Sequence, residues 1–125
     1  MKIVAILIVS LLVVGLATPA VAAGKLHHVV CFKFKPSATA QDIKQVEDAF
    51  RALKEKIPGI DALKSGTNVS KEQRNKGFTH CFILTFKSDK DRDTYLEHPE
   101  HQAFAKLVGP FVDDIFVIDF WPKKK

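Results

Sequence analysis

Leu26-His27-His28-Val29-Val30-Cys31-Phe32-Lys33-Phe34-Lys35, closed by Pro36, is dominated by β-branched and aromatic residues and reads as a strand. Side chains alternate along a strand, so His28, Val30, Phe32 and Phe34 share one face while Val29 and Cys31 hold the other. Two later stretches repeat this pattern. Phe78 to Lys87 sets Phe82, Leu84 and Phe86 against Cys81 and Ile83. Ile115 to Trp121, ended by Pro122, sets Phe116, Ile118 and Phe120 against Ile115, Val117 and Trp121. A sheet built from these strands has two apolar faces.

The segments between them complete the plan. From Thr39 to Lys56, Ile43, Val46, Phe50, Leu53 and Ile57 recur at steps of three and four, with Thr39 or Ser37 as N-cap and Pro58-Gly59 as stop, which gives an amphipathic helix. Ile60 to Val69 is a weaker strand interrupted by Gly66, and Ser70 to Gly77 is a polar loop. Ser88-Asp89 caps a second helix running to His98, and a third, short helix follows Pro99. The order β-α-β-β-α-β predicts an α+β, ferredoxin-like fold: a four-stranded antiparallel sheet with its helices on one face. Helices on one face leave the other apolar face open, and so large a patch marks an interface. A second copy laid sheet against sheet is the simplest cover, predicting a homodimer closed as an α/β barrel.

The first residues stand apart. Met1-Lys2, the aliphatic run Ile3 to Val14 broken only by Ser10, and Ala20-Val21-Ala22 form a signal-peptide pattern over residues 1–22. The expectation is a cleaved leader, a mature domain over residues 23–125, and a periplasmic or extracellular location. An uncleaved leader is the only membrane contact the chain offers. Cleavage removes one charge, Lys2, and takes the formal net charge from +5 to +4. The remaining positive charge sits in the tail Lys123-Lys124-Lys125 and a loop with Lys71, Arg74 and Lys76, without a basic stripe interleaved with aromatics. Nucleic acid is therefore not an expected partner. Cys31 and Cys81 are the only cysteines. They are either buried thiols inside strands or a disulfide formed on export.

Tyr95-Leu96-Glu97-His98-Pro99-Glu100-His101 gathers three proton-exchanging side chains around one proline. His98 falls at the joint between two helices and His101 on the first turn after it. A helix returning from the third strand brings its far end toward that strand's start, so His80, Tyr95, His98 and His101 are expected to line one pocket beside Phe82. With Cys31 opposite Cys81, Phe32 faces His80 and His28 lies about 13 Å further along, in a more distant part of the cavity or bonded to backbone at a strand end. His-x-x-His without a close carboxylate is a weak metal pattern, and neither metal nor cofactor is expected.

Taken together, His28-Val-Val-Cys-Phe-Lys-Phe-Lys35, Ile57-Pro-Gly59, Gly77-Phe-Thr-His80, Tyr95-Leu-Glu-His98-Pro-Glu-His101 and Ile118-Asp-Phe120 resemble the stress-responsive α/β-barrel (Dabb) family across the mature chain. The resemblance implies a ferredoxin-like monomer paired through its sheet, with His28 and His80 facing the cavity between sheet and helices. One similar branch is the plant polyketide cyclases, of olivetolic acid type. By that analogy His101 is the base and Tyr95 the acid or oxyanion partner, with Phe50 where the cyclases place a tyrosine. Three readings follow. The first is a dimeric module holding a small apolar or aromatic molecule against His28, His80, His98, Phe50 and Phe82, the second a cyclase or lyase working through Tyr95 and His101, the third a structural dimer without ligand.

Overall fold

The computed structural model describes residues 24–125, so the expected leader lies outside the described residues. The elements run β1 (Leu26–Phe34), α1 (Ala40–Lys56), β2 (Ala62–Thr67), β3 (His80–Phe86), α2 (Asp89–Glu97), α3 (Pro99–Val108), a 3-10 turn (Gly109–Phe111) and β4 (Val112–Phe120). The four strands form one antiparallel sheet in the order β2-β3-β1-β4, the predicted ferredoxin-like arrangement. Cys31 lies opposite Cys81 and Phe32 opposite His80, the register considered from the sequence.

Local chemistry sets the boundaries. At the start of α1 the Thr39 hydroxyl accepts from the Asp42 N–H at 3.1 Å and Asp42 accepts from the Thr39 N–H at 2.9 Å, a reciprocal capping box. Ser88 caps α2 in the same sense, accepting from the Asp91 N–H at 3.1 Å. Two expectations need adjusting. β4 begins at Val112, earlier than Ile115, because pairing to β1 continues at Asp114 and, past a bulge at Asp113, at Val112; the two acids hid the strand. The helix after Pro99 has ten residues against nine for α2, so it is not the minor element.

The core lies between the helices and one face of the sheet. Phe50 of α1 stacks on Phe82 with ring centroids 4.2 Å apart, and Phe32 and Phe104 close around it at 5.9 and 4.6 Å. Leu26, Val30, Val46, Leu53, Ile57, Ile60, Leu84, Phe86, Tyr95 and Val108 complete the buried set. Fully burying each such side chain is worth about 1.5–3 kcal/mol, which explains why the helices settle on this face. The opposite face stays bare: Phe116, Ile118 and Phe120 of β4 are 46–50% exposed. On the helix side of β4, Ile115 and Val117 are exposed to a similar degree, so the helices stop short of this edge strand.

Candidate functional site

β1 delivers His28 to the helix-facing side of the sheet, where it is 4% exposed. Its Nδ1 lies 2.6 Å from Oδ1 of Asp119, directly opposite on β4. A carboxylate only accepts, so Nδ1 carries a hydrogen and donates it to Asp119. The other oxygen of Asp119 accepts from Arg92 Nη1 at 2.6 Å, tying α2 to β4. Arg92 Nε also donates to Asp93 at 2.8 Å, and hydrogen bonds to Asp93 and Asp119 raise the guanidinium pKa above its ordinary value.

Tyr95 is the only buried residue of α2. Its ring meets His28 edge-on at 5.7 Å and tilts against Phe86 at 5.3 Å. Burial alone pushes the phenol well above the usual tyrosine range, so at neutral pH it is a protonated hydrogen-bond donor. His98 has extended backbone before Pro99, which breaks the helix there and turns the chain into α3. That break puts His101 on the first turn of α3, its ring 4.5 Å from the ring of Tyr95.

The contacts of His101 select its tautomer. Nδ1 lies 3.0 Å from the Leu96 carbonyl, which also accepts from Gln102 Nε2 at 3.0 Å. A carbonyl cannot donate, so Nδ1 holds the hydrogen and Nε2 is the free acceptor. Burial lowers the His101 pKa, with nearby His28 acting in the same direction and the Leu96 bond opposing them. The ring is neutral at pH 7.

His28, Tyr95 and His101 converge on a cavity of about 250 Å³ walled otherwise by apolar groups, including Val30, Phe32, Phe50, Phe104 and Val108. A neutral imidazole and a protonated phenol beside one apolar space have the chemistry of an acid and a base. The imidazole suits removal of a proton from carbon next to a carbonyl, and the phenol suits hydrogen bonding to the oxygen on which charge then develops.

Three expected residues lie elsewhere. His80 is at the other end of β3, with Nε2 3.3 Å from Glu47, Nδ1 2.8 Å from the Thr79 hydroxyl and its ring edge-on to Phe34 at 5.0 Å. The pocket joining His80 to Tyr95 is therefore corrected: nine helical residues rise about 13 Å, whereas seven strand residues span about 23 Å. Pro99 ends α2 before it reaches back to the start of β3. His98 is also outside the cavity, because its Nδ1 accepts from the Glu100 N–H at 3.1 Å and caps α3. Phe82 is core, stacked beneath Phe50 and not in the wall. His28 is in the wall itself, facing the cavity as the resemblance implied, and it is bonded to the Asp119 carboxylate instead of to backbone at a strand end.

Sequence reasoning passed over Asp119 and Arg92. The available signal was Asp119 itself, a lone acid inside the apolar run Phe116 to Phe120 on the same face as Ile115 and Val117. A charge there demands a partner.

The chain belongs to the family described as Stress responsive A/B Barrel Domain, whose profile matches residues 26–122. It is 32% identical over 101 residues to the stress-response A/B barrel domain-containing protein HS1 of Arabidopsis thaliana, covering 81% of this chain and 93% of that one. It is 26% identical to olivetolic acid cyclase of Cannabis sativa over 79% of this chain and 98% of the cyclase. Among solved structures, the hydroxynitrile lyase from Passiflora edulis superposes with a TM-score of 0.77 at 26% identity, over 82% of this chain and 97% of the lyase. A dimeric ferredoxin-like protein of unknown function from a Jannaschia species superposes with a TM-score of 0.68 at 25% identity, over 78% and 98% of the two chains.

Proposed function

We propose that this protein is an acid–base enzyme of the cyclase or lyase kind, acting on a small apolar or aromatic carbonyl compound held between His28, Tyr95 and His101. The observation carrying this reading is the fixed tautomer of His101, whose Nε2 is an acceptor beside the Tyr95 ring in an apolar cavity. His101 takes a proton from carbon next to the carbonyl. Tyr95 donates to the developing oxyanion, and His28, anchored by Asp119, forms the third polar wall. A cavity of about 150 Å³ accommodates benzene, so about 250 Å³ suits one substituted ring. That a cyclase and a lyase are among similar proteins supports the reaction class.

The test is hydrogen–deuterium exchange next to the carbonyl in a panel of small aryl alkyl ketones and arylacetaldehydes, followed by NMR in deuterated water. Wild-type protein accelerates exchange for the compounds that fit. His101→Ala loses about 100-fold or more and Tyr95→Phe a similar factor, with binding retained. Equal exchange by wild type and His101→Ala refutes the assignment. The apolar wall around Phe50 favours one alternative, a binding module without turnover. In that case ligands raise the melting temperature while exchange stays at the buffer rate.

The functional unit in this proposal is a homodimer. The uncovered face with Phe116, Ile118 and Phe120 supports it, as does the dimeric relative from Jannaschia. Light scattering should give twice the chain mass at micromolar concentration, and a single-chain mass overturns it. The proposal also has residues 1–22 direct export. Sequencing the exported protein should find Ala23 at its N-terminus, and an intact Met1 would contradict cleavage.

A further inference from the structure

We propose that Cys31 and Cys81 are a redox-active pair that closes into an intrachain disulfide, clipping the two central strands together on the sheet face opposite the cavity. The two residues are direct cross-strand partners in β1 and β3. The Asn68 N–H donates to the Thr79 carbonyl at 2.7 Å, so Thr79 turns its carbonyl toward the β2 side. The strand period of two makes Cys81 do the same. Cys81 therefore faces Cys31 in a pair that exchanges no backbone hydrogen bonds, where Cα atoms approach to about 4.5 Å. A disulfide accepts Cα separations of about 4.4–6.8 Å, so closure requires no shift of backbone.

The thiols already meet. Their side chains are within hydrogen-bonding reach of each other, and both residues are half-buried. They form part of the floor of a groove of about 660 Å³ on the open face, beside Ile83 and Phe116 and beneath the Asn68 to Thr79 loop, so a small oxidant has access in the unpaired chain. Burial, reinforced by its neighbour, pushes the Cys31 thiol up to about 11.

The oxidant is a donor disulfide. One of the two cysteine sulfurs attacks a donor sulfur, the donor S–S bond breaks, and one donor thiolate departs with the electron pair and takes up that cysteine's proton. The other cysteine then gives up its proton and attacks the first cysteine's Sγ, displacing the second donor thiolate, which accepts that proton. Two thiols are oxidised and one donor disulfide is reduced by two electrons. A chain exported by its leader would meet such donors.

The experiment exposes the purified native protein, diluted until light scattering gives the single-chain mass so that the open face is free, to oxidised glutathione, followed by denaturation, alkylation and mass measurement without reductant. The expected product takes no alkyl label, is lighter by two hydrogens, about 2 Da, and yields a Cys31–Cys81 linked peptide. Its melting temperature exceeds that of the reduced protein by on the order of 10 °C, and Cys31→Ser shows no such gain. Full labelling of both thiols, a stable glutathione adduct on either, a bridge between two chains, or closure without a rise in melting temperature each overturns the proposal. None of these readouts depends on the reaction proposed for the cavity.

Discussion

Asp119→Ala removes the acceptor that holds His28 and Arg92. The His28 side chain is 5% exposed, whereas those of Arg92 and Asp119 are 23% and 24% exposed, so the two bonds differ in weight. Stripping a buried donor of its partner costs about 1–3 kcal/mol, while a partly solvated ion pair contributes about 0–1 kcal/mol. The expected loss is about 1–4 kcal/mol. For a domain of about 100 residues that corresponds to a melting temperature lower by roughly 5–20 °C. Arg92→Ala leaves the His28 bond in place and should cost no more than about 1 kcal/mol. Urea titrations of the three proteins, with equal slopes confirming comparable unfolding, give both values. The reasoning is refuted if Asp119→Ala costs no more than Arg92→Ala, because the buried imidazole would then not need its carboxylate.

Other consequences are as specific. Because the folded pKa of His101 lies below the ordinary 6.5, the unfolded chain takes its proton first as pH falls. Its contribution to stability is thus complete above about 6.5 and is lost as pH drops toward the folded value; His101→Gln should flatten that part of the pH–stability curve. Thr39→Ala removes one half of the capping box and should cost about 1 kcal/mol by urea titration, with an unchanged melting curve contradicting the assignment. Ile118→Lys, on the open face, should convert a dimer to a monomer by light scattering while leaving the far-ultraviolet circular dichroism unchanged. A persistent dimer would place the interface elsewhere.

Much of the fold was legible because the strands carry their own evidence. The β-branched and aromatic run from Leu26 to Lys35 and its counterparts near Phe82 and Phe116 define strands with two apolar faces, and the β-α-β-β-α-β order places the helices on one of them and leaves the other open. The Cys31–Cys81 register was accessible from antiparallel pairing. The site was legible only in part, because a cavity depends on lengths in three dimensions. Tyr95 and His101 stand close in sequence, and one proline-broken joint brings their rings together. His80 required α2 to return the whole length of β3, and the helix is too short. The His28–Asp119 bond spans the chain from β1 to β4, and no local pattern marks such a pair beyond an acid stranded in an apolar strand.

The central claim is that His101 stands in the cavity as a neutral base with Nε2 free. Long-range proton–nitrogen NMR correlation on nitrogen-15-labelled protein at pH 7 tests it directly. The account predicts a His101 ring protonated on Nδ1 alone, with Nε2 in the unprotonated range and the Nδ1 proton protected by its bond to Leu96. A ring protonated on Nε2, or on both nitrogens at that pH, would contradict it.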